Sequence, residues 1–256
     1  MSASEPTTPT APQYVYGVVR SDAELPEGLT GLDGQPVKLI RHERVAALIS
    51  DLPQGRALGE RADLVAHQSV LQAFVDAGAA VLPFRFGAAM AGADAVRDEL
   101  LAANADRLAA VLESIDGRVA VRVKGRYEQD AVLREVLAGD PEIAELSERL
   151  RGVPEDAADA VYYDRVRLGE MIVGALRERR ANDSARLLTA LAPLAEAVSA
   201  HEPVRDEDVV DASLLVAAGE RDRFEKAVEG LAEENRDRIS LRLVGPLPPY
   251  DFVPEG

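Results

Sequence analysis

Cysteine and tryptophan are absent from the 256-residue chain, and histidine occurs three times. Without a thiol there is no disulfide, no thiolate nucleophile, no iron–sulfur cluster and no cysteine zinc site. Lysine is nearly as scarce: Lys38, Lys124 and Lys226 are the only lysines among 29 basic residues. Against these stand 45 acidic residues, for a net charge of −16. With no basic run present, neither nucleic acid nor an anionic lipid membrane is expected as a partner. No apolar window approaches the roughly 18 residues that a membrane helix needs. The first residues have neither the basic start nor the apolar centre of an export signal, so a cytoplasmic location is expected.

What is present is ordinary for a folded protein, with 47% apolar and 29% charged residues. Residues 1–13, rich in Ser, Thr, Pro and Ala, read as a disordered tail. An N-terminal α+β domain is expected over 14–117. Its strands fall at Tyr14–Arg20, Val37–Arg41, Arg44–Asp51 and Ala80–Phe84. Helical periodicity covers Ala62–Ala77, with Leu64, Val65, Leu71, Phe74 and Val75 on one face, and again Ala93–Ser114.

A second domain is expected over 118–244. Arg118–Lys124 alternates strictly, with Val119, Val121 and Val123 on one side. Helical periodicity then runs from Glu128 almost to Ala200, with breaks at Gly139–Pro141, Gly152–Pro154 and Asn182–Asp183. Strands follow at Glu202–Arg205 and Asp211–Ala218, then a helix over Arg221–Arg238 and a strand over Ile239–Val244. That is the βαββαβ order of a ferredoxin-like fold with an expanded helical insert. The fold class expected is therefore α+β in two domains, followed by an extended Pro-rich tail over 245–256.

Catalytic patterns are missing. Gly28, Gly31 and Gly34 are spaced three apart, which is not a dinucleotide fingerprint, and no P-loop, nucleophile elbow or His-Glu-x-x-His occurs. His42, His67 and His201 read as structural. The acidic group Glu202, Asp206, Glu207, Asp208 and Asp211 lacks the glycine turn of a calcium loop. No catalytic, metal or cofactor residue is assigned. Two segments stand out instead. In Leu82–Gly87 (LPFRFG), Phe84 and Phe86 flank Arg85, which suits pairing with a buried carboxylate or stacking on a ring. In the tail GPLPPYDFVPEG, the prolines exclude helix while Tyr250, Phe252 and Val253 carry apolar surface that should dock somewhere. Candidate partner-binding residues are Phe84, Arg85, Phe86, Pro248, Pro249, Tyr250 and Phe252.

These same segments carry a resemblance. His67 with Val70–Leu71 and then LPFRFG, the closing GPLPPYDFV, the opening YVYGVV and the helix around Leu168–Gly169 resemble the GvpL/GvpF family of gas-vesicle proteins. The family often has Trp where this chain has Leu247, and a Thr and a branched residue at Ala88 and Ala89. The resemblance implies a non-enzymatic accessory protein of gas vesicle formation, a minor vesicle-associated component without cofactors. Its implied partners are the hydrophobic shell protein GvpA, whose nucleation it would assist and whose aggregation it would limit, and other gas vesicle accessory proteins. The alternatives are a structural lining of the finished vesicle and a small-molecule enzyme on a ferredoxin-like fold.

Overall fold

The computed structural model describes residues 11–154 and 161–254. The expected N-terminal tail lies outside them up to residue 10. The chain forms two compact units, one of residues up to Ala120 together with those from Gly245 onward, the other Val121–Val244. Both combine helices with an antiparallel sheet, an α+β architecture.

The first unit is organised about β1 (Gln13–Arg20). Its neighbours are β2 (Lys38–His42), β3 (Val45–Asp51), β4 (Val81–Pro83) and β5 (Ala89–Met90), in the order β2-β3-β1-β4 with β5 also on β1. The register with β3 slips between Val15 and Gly17. That bulge shifts the inward–outward alternation by one residue. Tyr14, Tyr16 and Val19 thus share one core with Leu48, Val70, Leu71 and Phe74, whereas Val15 and Val18 enter the other with Leu101, Leu108 and Leu112. A side chain at Gly17 would put its Cβ 2.4 Å from the Leu82 carbonyl oxygen.

Two helical layers cover these faces. α1 (Arg61–Asp76) buries Asp63, His67, Val70, Leu71 and Phe74. The expected apolar face was different: Leu64 and Val65 are 48% and 54% exposed. Two of the inward positions are polar, Asp63 and His67, so hydropathy places the stripe about one residue out of phase. The second helical segment is not one regular helix either. It comprises α2 (Ala93–Ala95), a π-helical turn Val96–Leu101, a 3₁₀ turn Ala102–Asn104 and α3 (Ala105–Ile115). The Asn104 amide donates to the Leu100 carbonyl at 2.9 Å, occupying a backbone acceptor where the ladder changes pitch.

The glycine triplet has a structural purpose. Gly28 and Gly34 take positive φ of 71°. At Gly31 a Cβ would lie 1.9 Å from the Tyr16 hydroxyl. That hydroxyl accepts from the Leu32 N–H at 2.9 Å and shares a hydrogen with Ser50 Oγ at 2.8 Å.

In the second unit β6 (Arg118–Tyr127), β7 (Ala197–Ala200), β8 (Asp208–Ala217) and β9 (Ile239–Leu247) are ordered β7-β8-β6-β9. Its helices are α4 (Gln129–Gly139), α5 (Pro141–Arg151), α6 (Tyr162–Leu191) and α7 (Arg221–Asn235). Two expectations need correction. Asn182–Asp183 does not break α6, because the Asp183 carboxylate accepts from the Tyr127 hydroxyl at 2.7 Å and from Arg238 at 2.8 and 3.1 Å, not from nearby backbone. The expected strand at Glu202–Arg205 is instead β7, at Ala197–Ala200, paired with β8. Pro193 ends the helical run in a 3₁₀ turn, and sheet pairing overrides the helix preference of the following alanines. β9 tolerates Pro246 because it is an edge strand.

Gly31→Ala is expected to destabilise the protein by about 1–3 kcal/mol through overpacking against Tyr16. Gly230→Ala, in α7 with nothing within 4 Å of the added carbon, should stabilise by about 0.5–1 kcal/mol. Urea unfolding midpoints of both variants check the pair.

Candidate functional site

β4 and β5 lie on the same edge of β1, and the chain leaves the sheet between them. The excursion, Phe84–Ala88, contains the Phe-Arg-Phe segment. Its ends are pinned by hydrogen bonds of 2.9 Å from Phe84 N–H to the Tyr16 carbonyl and from Val15 N–H to the Ala88 carbonyl. Phe84 packs toward one core and Phe86 toward the other, leaving Arg85 exposed between them.

His67, buried in α1, joins this excursion to the C-terminal tail. The Tyr14 hydroxyl accepts from the Gly87 N–H at 3.0 Å and lies 2.9 Å from His67 Nδ1. With one hydrogen of its own, Tyr14 donates it to Nδ1. The proton of the neutral imidazole is therefore on Nε2, which faces the Phe84 carbonyl at 3.1 Å and the Tyr250 hydroxyl at 3.1 Å. Burial lowers the His67 pKa from 6.5, in keeping with this neutral form. Burial also pushes the phenols of Tyr14 and Tyr250 up to about 12. The ring centroid of His67 is 5.7 Å from those of Tyr14 and Tyr16 and 5.8 Å from that of Phe86.

The start of α1 is fixed by a second polar cluster. Asp63, almost wholly buried, accepts from Arg56 at 2.5 and 2.9 Å and from the N–H groups of Gly59 and Glu60. The Arg56 guanidinium holds the Asp63 carboxyl well below the usual carboxylate range. Arg56 also pairs with Asp33 in the glycine-punctuated loop. Further along α1, the Gln72 amide donates to the Pro246 carbonyl at 3.0 Å, holding the tail to the same helix.

Beside His67 runs an open groove of about 490 Å³, lined by Arg61, Leu64, Val65, Arg85, Phe86 and Tyr250. The two segments singled out in the sequence thus meet in one place. Pro248 and Pro249 are buried beneath the surface, Phe252 is half-buried, and Tyr250 is 37% exposed at the groove. Phe84 lines a smaller cavity of about 230 Å³ with Leu108 and Pro254. Leu64 and Val65 were not recognised as surface residues from the sequence. The signal for them was the alignment of Asp63 and His67 with Val70, Leu71 and Phe74, which turns both outward.

The other candidates are structurally occupied. His201 Nε2 lies 3.1 Å from Ser213 Oγ. In the acidic group, Asp208 pairs with Arg126 at 3.0 Å and Asp211 with Arg122 at 2.5 Å. Among the described residues no three His, Cys, Asp or Glu side chains are grouped to hold a metal ion, and no helix is long and apolar enough to cross a membrane.

The family model described as gas vesicle synthesis protein GvpL/GvpF matches residues 12–254. The chain belongs to the GvpL/GvpF family. Gas vesicle protein F of Streptomyces sp. (strain CB03234) is 37% identical over 94% of this chain and 98% of its own length. Gas vesicle protein L of the same strain is 30% identical over 94% of this chain and 92% of its own. The crystal structure of GvpF from Anabaena sp. PCC7120 superposes with a TM-score of 0.81 at 24% identity, covering 96% of this chain and all of that one, 100%. The GvpL/GvpF family comprises gas vesicle proteins and is not an enzyme family, which gives this chain a gas vesicle role.

The lowered His67 pKa has a consequence for stability. Above the unfolded value of 6.5 the neutral imidazole contributes in full. As pH falls from there through the folded value, the unfolded chain takes up the proton first and stability declines. Urea midpoints measured from pH 7.5 to pH 5 should therefore fall more steeply for the parent chain than for His67→Gln. Equal slopes would show that His67 does not titrate differently on folding.

Proposed function

We propose that this protein is a non-enzymatic accessory factor of gas vesicle formation that binds the hydrophobic shell subunit GvpA through the groove of α1, Arg85, Phe86 and Tyr250. The observation that carries the reading is the exposure of Leu64 and Val65 beside Phe86 and Tyr250. A subunit that assembles into a shell exposes apolar surface and strand edges beforehand, and these aggregate unless covered. An apolar groove with Arg61 and Arg85 at its rim covers such a segment while the net charge of −16 keeps the complex dispersed.

The hydrogen bonding of the site supports binding over catalysis. Nδ1 of His67 already receives the Tyr14 hydrogen, so it has no lone pair left to accept a substrate proton. The reading extends to a minor, vesicle-associated component working in the cytoplasm alongside other accessory proteins. The strand order β7-β8-β6-β9 supports a ferredoxin-like second domain, with the expected boundaries at 117/118 and 244/245.

Truncating the tail is a poor test, since Val253 packs against the core of Val15, Val18 and Leu108. Leu64→Glu with Val65→Glu is cleaner because both side chains are already half exposed. The double variant should keep its unfolding free energy within about 0.5 kcal/mol of the parent. Co-expressed shell subunit should nonetheless return to the aggregated fraction, and complementation of a deletion strain should fail. A double variant that keeps the shell subunit as dispersed as the parent does would contradict the groove reading. Recovery of the protein on washed, intact vesicles at shell-like abundance would favour the lining role instead.

A further inference from the structure

The N-terminal part of α6 has no buried residue from Tyr162 to Asn182; the buried side chains of this helix are Asp183, Leu187 and Leu191. One side, with Leu168, Ile172 and Ala175, is half covered and packs toward α4 and α5. On the other side Tyr162, Tyr163, Val166 and Val173 are 60%, 84%, 42% and 46% exposed. At 100° per residue, Tyr162, Val166, Val173 and Arg177 fall within a stripe about 60° wide.

We infer that this stripe is a self-docking surface, on which α6 of a second copy lies antiparallel about a two-fold axis level with Gly169–Glu170. The spacing carries the inference. Tyr162 and Val166 precede that level by the same steps at which Val173 and Arg177 follow it, so the stripe is its own complement under an antiparallel two-fold. Val166 then meets Val173 of the second copy, and the Tyr162 ring meets the Arg177 guanidinium of the second copy. Among the described residues Arg177 has no ion-pair partner, so it is available for that ring.

A further observation agrees. Gly169, at the crossing, lies within α6 and has nothing within 4 Å of an added Cβ, so its own fold does not require glycine there. A glycine in a helix interior is less favourable than alanine, and close approach of a second helix offsets that cost.

Because the protein has no cysteine, single-cysteine variants read the geometry directly. Sedimentation of the full chain should show a monomer–dimer equilibrium, and Val166→Glu with Val173→Glu should weaken it by about tenfold or more. Under mild oxidation Gly169→Cys should give a disulfide-linked dimer. Tyr162→Cys alone should not, since the two copies of that position lie roughly 22 Å apart along the antiparallel pair. A mixture of Tyr162→Cys and Arg177→Cys chains should cross-link. A chain that is monomeric at all concentrations, or Tyr162→Cys linking as readily as Gly169→Cys, overturns the proposal. So does a monomeric chain whose Val166→Glu/Val173→Glu variant loses vesicle formation, an outcome that assigns the stripe to another protein.

Discussion

The hydrogen-bonded path from Gly87 N–H through Tyr14 and His67 to Tyr250 is the constraint on which the first unit depends. It ties a β-strand, a loop, a helix and the C-terminal tail through one imidazole, His67 and Tyr250 standing 183 residues apart in the chain. At its centre Tyr14 and His67 are buried, so a bond left unmade there would carry the desolvation penalty of its group. That penalty selects one protonation state for His67 and one position for the tail. The groove exists because these choices are made together: Phe86 and Tyr250 form its wall only when both are held to the same ring.

Much of this was legible in the sequence. Strands β1 to β4 stand close to the expected segments, the short β5 was not expected, and the alternating Arg118–Lys124 lies within β6. The two unusual segments were recognisable because aromatic and apolar residues in a proline-bound tail have no purpose in solvent. Their meeting was not legible, since no local pattern encodes a contact between Phe84 and Tyr250 through a third residue. The outward placement of Leu64 and Val65 was hidden for a related reason. A hydropathy pattern treats Asp63 and His67 as surface residues, yet Arg56 neutralises one and Tyr14 satisfies the other. Likewise Asp183 looks like a helix breaker until Arg238 and Tyr127 claim its carboxylate.

The absences that opened the account gain meaning from the site. A chain without cysteine offers no disulfide or thiolate chemistry, and the buried His67 is engaged at both nitrogens. Negative charge is carried throughout, while exposed apolar residues cluster at the groove of α1 and along the first half of α6, with Leu25, Leu133, Val198 and Val204 exposed singly elsewhere. Family membership supplies the biological setting, and the geometry proposes which surfaces act in it. Binding of an apolar client by a strongly acidic, apolar-grooved protein needs no catalytic group. It needs a rigid groove, and the buried polar path provides rigidity.

Hydrogen–deuterium exchange on the complex with co-expressed shell subunit separates one shared groove from unrelated contacts. Residues 61–68, 84–88 and 245–254, distant in sequence, should gain protection together relative to the chain alone. Protection confined to Val121–Val244, or reaching only one of the three segments, would contradict a single groove built from both motifs.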